Sequence, residues 1–110
     1  MAQFAIHRNP GQRTGRTHPF LVVVQSDRWA GLGTRLVVPL VLRSVLPLED
    51  IAQSVLTPVF TVAERDVFLN PFDLTPVPVN RLGDPIASFA ADESAKRRIQ
   101  QALDEALSPY

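Results

Sequence analysis

Residues 20–42 read FLVVVQSDRWAGLGTRLVVPLVL, and this stretch decides the fold. Phe20 to Val24 and Leu36 to Leu42 contain no polar residue, while Gln25 to Thr34 between them is polar and glycine-bearing. Alternation of apolar and polar residues would mark a sheet with one wet face; a continuous β-branched run marks strands covered on both faces. A buried helix is the competing reading, but each run is short and valine-rich, and Pro39 would break a helix. The stretch is therefore expected to be the central hairpin of an antiparallel sheet. A chain of 110 residues can cover one face with its own helix, so a second small sheet or a partner subunit is expected on the other.

The length suits a single domain, residues 1–110, with one core of moderate size. An apolar fraction of 45% with 20% charged residues is that of a globular protein rather than a disordered one. Ten prolines against five glycines favour short strands and rigid turns. The absence of cysteine removes disulfides, thiolate zinc sites and a cysteine nucleophile. No apolar run approaches the ~20 residues of a membrane span. Residues 1–10, MAQFAIHRNP, lack a signal-peptide core, so a cytoplasmic location is expected. Net charge is zero but uneven. Residues 1–43 hold six arginines (8, 13, 16, 28, 35, 43) against Asp27 alone, a balance of +5, and the remainder balances at −5. Overall neutrality argues against nucleic-acid binding by the chain alone, while a basic half can attract an acidic peptide.

Outward from the hairpin, Gln3 to Arg8 alternates Phe4 and Ile6 against Gln3, Ala5 and His7, predicting a half-buried first strand. Asn9 to Pro19 has no large apolar residue and reads as a surface loop, either a plain connection or a basic docking loop. Arg43 to Gln53 is mixed, with a short turn expected at Glu49-Asp50. Val55–Val62 and Val67–Asn70 read as strands joined across Ala63 to Asp66, and Pro58 moves the first towards an edge. Phe72 to Val79 is expected to be extended because residues before proline avoid the helical region, and Leu82 to Ile86 to be a last, turn-rich strand. Ala95, Ile99, Ala102, Leu103, Ala106 and Leu107 then form one apolar stripe of a helix. Asp92 is its expected N-cap, Glu93 and Arg97 stand four apart in the favourable order, and burial is expected for Ile99, Leu103 and Leu107.

Chemistry-bearing patterns are sparse. His7 and His18 belong to no short-range ligand pair, so no metal or cofactor is expected, and His7 is expected to be solvated. Ser26-Asp27 lacks a nucleophile elbow and reads as a turn. Gly31-Leu32-Gly33 precedes a strand rather than a helix, which excludes a phosphate loop. Neither carboxylate pair looks like an acid/base dyad, and no catalytic residue is assigned. Trp29 is the only tryptophan and sits beside Arg28 in a polar loop. A lone loop tryptophan packs back on the core more often than not; exposed, the pair would be an interface anchor.

Several segments together resemble the CcdB family, the toxins of toxin–antitoxin pairs. They are Gln3-Phe4, Val24-Gln25-Ser26-Asp27, Gly33-Thr34-Arg35-Leu36-Val37-Val38-Pro39-Leu40, Leu56-Thr57-Pro58-Val59, and Val77-Pro78-Val79 through Leu82-Gly83, closed by the amphipathic helix. The resemblance implies a mainly β fold, a small SH3-like barrel of the CcdB/MazF type with one C-terminal helix. It implies a homodimer that covers the second face of the hairpin. It also implies a non-catalytic toxin of plasmid-maintenance type that binds the A subunit of DNA gyrase and traps its cleaved-DNA complex. A CcdA-like antitoxin with a disordered acidic tail would neutralise it. Gyrase contact would fall on Arg28, Trp29, Asp104, Leu107, Ser108, Pro109 and Tyr110. Antitoxin contact would fall on Arg8, Asn9, Pro10, Gly11, Gln12, Arg13 and Arg16. The chain departs from the family at two places. Ser108-Pro109-Tyr110 stands where known members end in tryptophan, glycine and isoleucine, and Arg28-Trp29 stands where they carry aliphatic residues. The alternatives are a MazF-like ribonuclease toxin, which needs an Arg/His/Thr cluster in a cleft, and a non-toxic dimer that binds an antitoxin peptide.

Overall fold

The computed structural model describes residues 2–11, 13–45 and 55–109. Phe20–Val23 (β2) and Thr34–Leu42 (β3) form the expected antiparallel hairpin, with Phe20 opposite Leu40 and Val22 opposite Val38. Around it lie Ala5–Arg8 (β1), Val59–Val62 (β4), Arg65–Leu69 (β5), Thr75–Pro78 (β6) and Ala87–Ser88 (β7). The sheet order is β4-β5-β3-β2-β1-β7, all antiparallel, and β6 joins through β3. A helix, Glu93–Leu107 (α1), follows. The result is a nearly closed, mainly β barrel with a C-terminal helix.

The hairpin is apolar on both faces because two cores meet on it. Side chains alternate across a strand. Phe20, Val22, Val38 and Leu40 join Ile6, Phe60, Val67, Leu69 and the helix residues Ala95, Ile99 and Ala102. Leu21, Val23 and Val37 point the other way, beside Val77 on the same face and against Leu82, while Val41 packs with Phe68. All seven strands belong to one sheet, so the expected second small sheet is corrected: Leu82, in the irregular stretch after β6, packs on this face, and these side chains are buried within the chain itself.

β3 changes partner along its length. Residues 34–37 pair with β6, and residues 40–42 pair with β5 on the same side. Pro39 lies at the changeover. Its carbonyl accepts from the Asn70 N–H (3.1 Å), and in an antiparallel strand a residue's N–H and C=O share a side. The donor that proline lacks therefore faces Asn70, whose carbonyl accepts from the Asp73 N–H instead, so that carbonyl is not left unpaired. Pro58 immediately precedes β4, which is indeed an edge strand.

Other expectations need correction. The first strand starts at Ala5 rather than Gln3, because Phe4 adopts a left-handed backbone (φ 69°) as its N–H reaches the Val23 carbonyl. The β4–β5 connection is a two-residue turn, Ala63-Glu64, with φ of 49° and 65°, so Arg65 and Asp66 belong to β5. β4 spans Val59–Val62 only; Val55 to Thr57 are bends. Pro71–Asp73 is a 3-10 turn, capped by the Asn70 side chain, which accepts from the Phe72 N–H. Extension is therefore confined to Thr75–Pro78. Leu82 to Ile86 is irregular, and the last strand is Ala87–Ser88. The turn expected at Glu49-Asp50 lies outside the described residues.

His7 is not solvated; it is fully buried. Its Nδ1–H donates to the Gly83 carbonyl at 2.8 Å, which fixes the tautomer because a carbonyl only accepts. Nε2 is buried without a hydrogen-bond partner. Gly83 follows the β6 segment, so this bond clasps β1 to residues 82–86 across the seam between them, beside the backbone bond from the Ile86 N–H to the Ile6 carbonyl. Helix α1 docks as expected at its start: Asp92 accepts from the Ala95 N–H at 3.0 Å. Arg98 donates to the Val59 carbonyl at 2.6 Å and lies over the Phe60 ring. The buried stripe stops early, however. Leu103 is half-buried, and Leu107 is 66% exposed. Glu93 pairs with Lys96 at 2.8 Å, three residues on, in place of Arg97.

Candidate functional site

The loop between β2 and β3 is held from below by four side chains. Gln25, buried, donates from Nε2 to the Trp29 carbonyl (3.0 Å) and accepts at Oε1 from the Leu36 N–H (3.1 Å). Ser26 Oγ accepts from the Arg28 N–H, capping a 3-10 turn over Asp27–Trp29. Asp27 Oδ1 accepts from the Gln3 N–H at 2.8 Å. Arg35, buried, donates from Nη1 to the carbonyls of Leu32 (2.7 Å) and Thr34 (2.9 Å), and from Nη2 to that of Ala30 (2.8 Å). Charge-assisted bonds of this kind are the strong ones, and a planar five-donor fork suits several carbonyls at once. The polar residues of the QSD stretch thus form a turn, as expected, and that turn is rigidly supported.

What the loop presents is apolar and cationic. Trp29 is 58% exposed, which corrects the expectation that it packs on the core; Arg28 lies 5.8 Å from its ring centroid. Leu32 is also exposed. Aromatic and arginine side chains on a pre-ordered loop lose little entropy on binding, the condition under which exposed anchors contribute most.

The C-terminal candidates sit elsewhere. Asp104 is exposed and accepts from Gln100 Nε2 at 3.1 Å, and Leu107, Ser108 and Pro109 are all exposed, with Ser108 extended after the helix. Tyr110 lies outside the described residues. The start of α1 is the part tied to the loop. Gln3 holds Asp27, and the next residue, Phe4, accepts from the Phe89 N–H just before the helix. Leu107 lies about 20 Å further along the helix axis.

The Arg8–Arg16 candidates form an organised loop. Asn9 Nδ2 donates to the His18 carbonyl (2.8 Å) and to Thr14 Oγ1 (3.1 Å), while its Oδ1 accepts from the Gly11 N–H (2.9 Å). A Cβ on Gly11 would stand 2.5 Å from Thr14 Oγ1, so a larger residue there would have to push the Thr14 hydroxyl aside. Arg8, Arg13 and Arg16 are exposed; Gln12 is not among the described residues. Between this loop and β6 opens a cleft of about 340 Å³, with Leu21 and Pro39 in its lining and His18, Thr14, Thr75, Asp73 and Arg81 among its polar groups. Sequence reasoning missed this cleft, since its two walls are some sixty residues apart in the chain. Two prolines in a four-residue strand were the one available signal, marking β6 as an edge.

The histidines do not meet. His7 is the clasp, and His18 Nδ1 shares a 2.7 Å hydrogen bond with Thr17 Oγ1. Among the described residues no group of three or more His, Asp or Glu is placed to hold a metal ion, and no helix is long and apolar enough to cross a membrane.

The site is thus a small antiparallel barrel carrying a supported, exposed Arg-Trp loop at one place and a second basic loop over a cleft at another. The family model described as CcdB protein matches residues 3–108, and the chain belongs to the CcdB family, the toxins of toxin–antitoxin systems. No curated protein matches the chain.

Proposed function

We propose that this protein is the toxin of a toxin–antitoxin pair that binds the A subunit of DNA gyrase and traps the gyrase–DNA cleavage complex without catalysis of its own. Family membership over residues 3–108 supports the class, and the observation that carries the target is the supported loop presenting Arg28 and Trp29. In this reading the chain is one CcdB-like unit, acts in the cytoplasm as a symmetric homodimer, and uses Arg28 and Trp29 with Asp104, Leu107, Ser108, Pro109 and Tyr110 against gyrase. The exposed arginines of the 8–16 loop attract the acidic tail of a CcdA-like antitoxin, since opposite charge speeds encounter and fixes register. Induced expression should arrest growth and accumulate gyrase-cleaved DNA, and Trp29→Ala and removal of residues 108–110 should each relieve it. Purified protein that neither binds the gyrase A subunit nor traps cleaved DNA refutes the assignment.

A MazF-like ribonuclease is the second reading. One observation favours it: His18, Thr14, Thr75 and Arg81 line a single cleft, the residue set such an enzyme needs. RNA cleavage lost in His18→Ala would select it. Normal growth on overexpression with retained peptide binding would select the non-toxic dimer instead.

A further inference from the structure

We propose that the open cleft along the free edge of β4 binds a small zwitterion, a free α-amino acid, holding its carboxylate and its ammonium group together. β4 ends the sheet, and its residues line a cleft of about 300 Å³ beside the start of α1. That volume lies at the lower limit of the ~300–1,000 Å³ range of ligand sites and suits a compact molecule. Two guanidinium groups, Arg43 and Arg98, and two carboxylates, Asp66 and Asp92, line it. Among the described residues neither arginine forms an ion pair with either carboxylate. Three of the four are instead tied to the fold. Arg98 donates from Nη2 to the Val59 carbonyl and lies 4.5 Å from the centroid of the Phe60 ring, which packs on Phe89 at 4.8 Å. Asp66 Oδ1 accepts from Thr61 Oγ1 at 2.9 Å, and Asp92 Oδ1 accepts from the Ala95 N–H. The fourth, Arg43, has a buried Nε with no hydrogen-bond partner.

The anchoring bonds occupy one nitrogen of Arg98 and one oxygen of each carboxylate, so donors and acceptors of both signs remain for a ligand. A ligand of single charge is attracted by one pair and repelled by the other; a dipolar one gains from both. The strand edge adds neutral groups. The Pro58 carbonyl accepts from the Leu69 N–H on the β5 side, so by alternation Val59 and Thr61 turn their amides and carbonyls outward. Arg98 already takes the Val59 carbonyl, which leaves Thr61, among the described residues, with a free N–H and C=O at the cleft. An added strand would have to displace Arg98 to continue the ladder, whereas a compact ligand uses the edge as it stands. None of the four charged residues is among those assigned above to gyrase or antitoxin.

The test follows amide chemical shifts of the isotope-labelled full-length protein during titration with L-alanine, N-acetyl-L-alanine, L-alaninamide and inorganic phosphate. Ionic strength is held equal, since salt screens exposed charges. L-Alanine should shift the Thr61 and Asp66 amides saturably in the millimolar range. It should bind at least about tenfold tighter than each of the other three probes, a difference of ~1.4 kcal/mol. Asp66→Asn combined with Asp92→Asn removes both negative charges and keeps both anchoring bonds, because an amide oxygen still accepts and Asn is a good N-cap. In this double variant L-alanine should lose about tenfold while N-acetyl-L-alanine gains, a reversal that loss of structure would not produce. Should the double variant melt well below the parent, Asp66→Asn alone, at an exposed position, decides by the same reversal. Absence of saturable shifts at Thr61, any other probe binding as tightly as L-alanine, or an unchanged ranking in the folded variant overturns the proposal. None of these readouts involves gyrase or an antitoxin.

Discussion

Replacing His7 tests the account of how the barrel closes. The imidazole is fully buried, donates one hydrogen bond across the seam to Gly83, and leaves Nε2 unpaired. His7→Ala removes a packed ring and the clasp together. Ring deletions in cores cost about 3–5 kcal/mol, and the smaller imidazole belongs near the bottom of that range, so ~3 kcal/mol is expected. For a domain of this size that lowers Tm by roughly 10–20 °C. His7→Leu is different. It gives up a hydrogen bond contributing about 1 kcal/mol but also removes a buried unpaired nitrogen that costs ~1–3 kcal/mol, and it keeps most of the volume. Its predicted effect is within about 1 kcal/mol of zero, of either sign. Urea and thermal unfolding followed by circular dichroism measure both, and amide exchange at Ile86, whose N–H donates to the Ile6 carbonyl, reports opening of the seam. A loss below about 0.5 kcal/mol for His7→Ala would refute the clasp. A loss above ~2 kcal/mol for His7→Leu would show that the Gly83 bond outweighs the unpaired nitrogen.

Three further predictions follow from the same geometry. Glu64→Gly should stabilise the protein by ~0.5–1 kcal/mol in thermal unfolding, because Glu64 holds φ of 65° in a turn that prefers glycine; destabilisation would mean the glutamate side chain has a role that its backbone does not suggest. Arg35→Met should free the carbonyls of Ala30, Leu32 and Thr34, speed the local motion of Trp29 seen in fluorescence anisotropy decay, and weaken gyrase binding about tenfold; an unchanged decay would show that the loop is ordered without it. Ile99→Ala should cost ~2–4 kcal/mol in urea unfolding and Leu107→Ala less than about 0.5, since one is fully buried and the other stands in solvent; comparable losses would place Leu107 in an interface between copies.

The sequence by itself determined the central hairpin, the first strand and the β4–β5 pair to within a few residues, the helix with its Asp92 cap, and the family, while it put a last strand at Leu82 to Ile86 in place of Ala87–Ser88. Those signals are local: period-2 and period-3.6 patterns, proline punctuation and contiguous motifs in a constant order. The buried length of the helix was overestimated because the apolar stripe continues to Leu107, whereas the residues that the core buries end at Ala102. His7 was misplaced for a related reason. It alternates with Phe4 and Ile6, so the strand pattern alone assigns it to the wet face, and only the fold-back of residues 75–83 makes that face a second core. Trp29 was misjudged in the opposite sense. Its exposure depends on Gln25 and Arg35 taking the loop's carbonyls from below, which no pattern in the loop itself encodes.

Tertiary structure also decided what covers the hairpin. From sequence the doubly apolar run of residues 20–42 admitted a partner or a second sheet. The fold brings Leu82, some sixty residues along the chain from β2, against Leu21, Val23 and Val37 on the second face. The cleft likewise joins distant segments, with β6 and its two prolines facing the arginine loop. Local periodicity records which residues prefer an interior. It does not record which interior they share, because that depends on contacts between segments far apart in the chain.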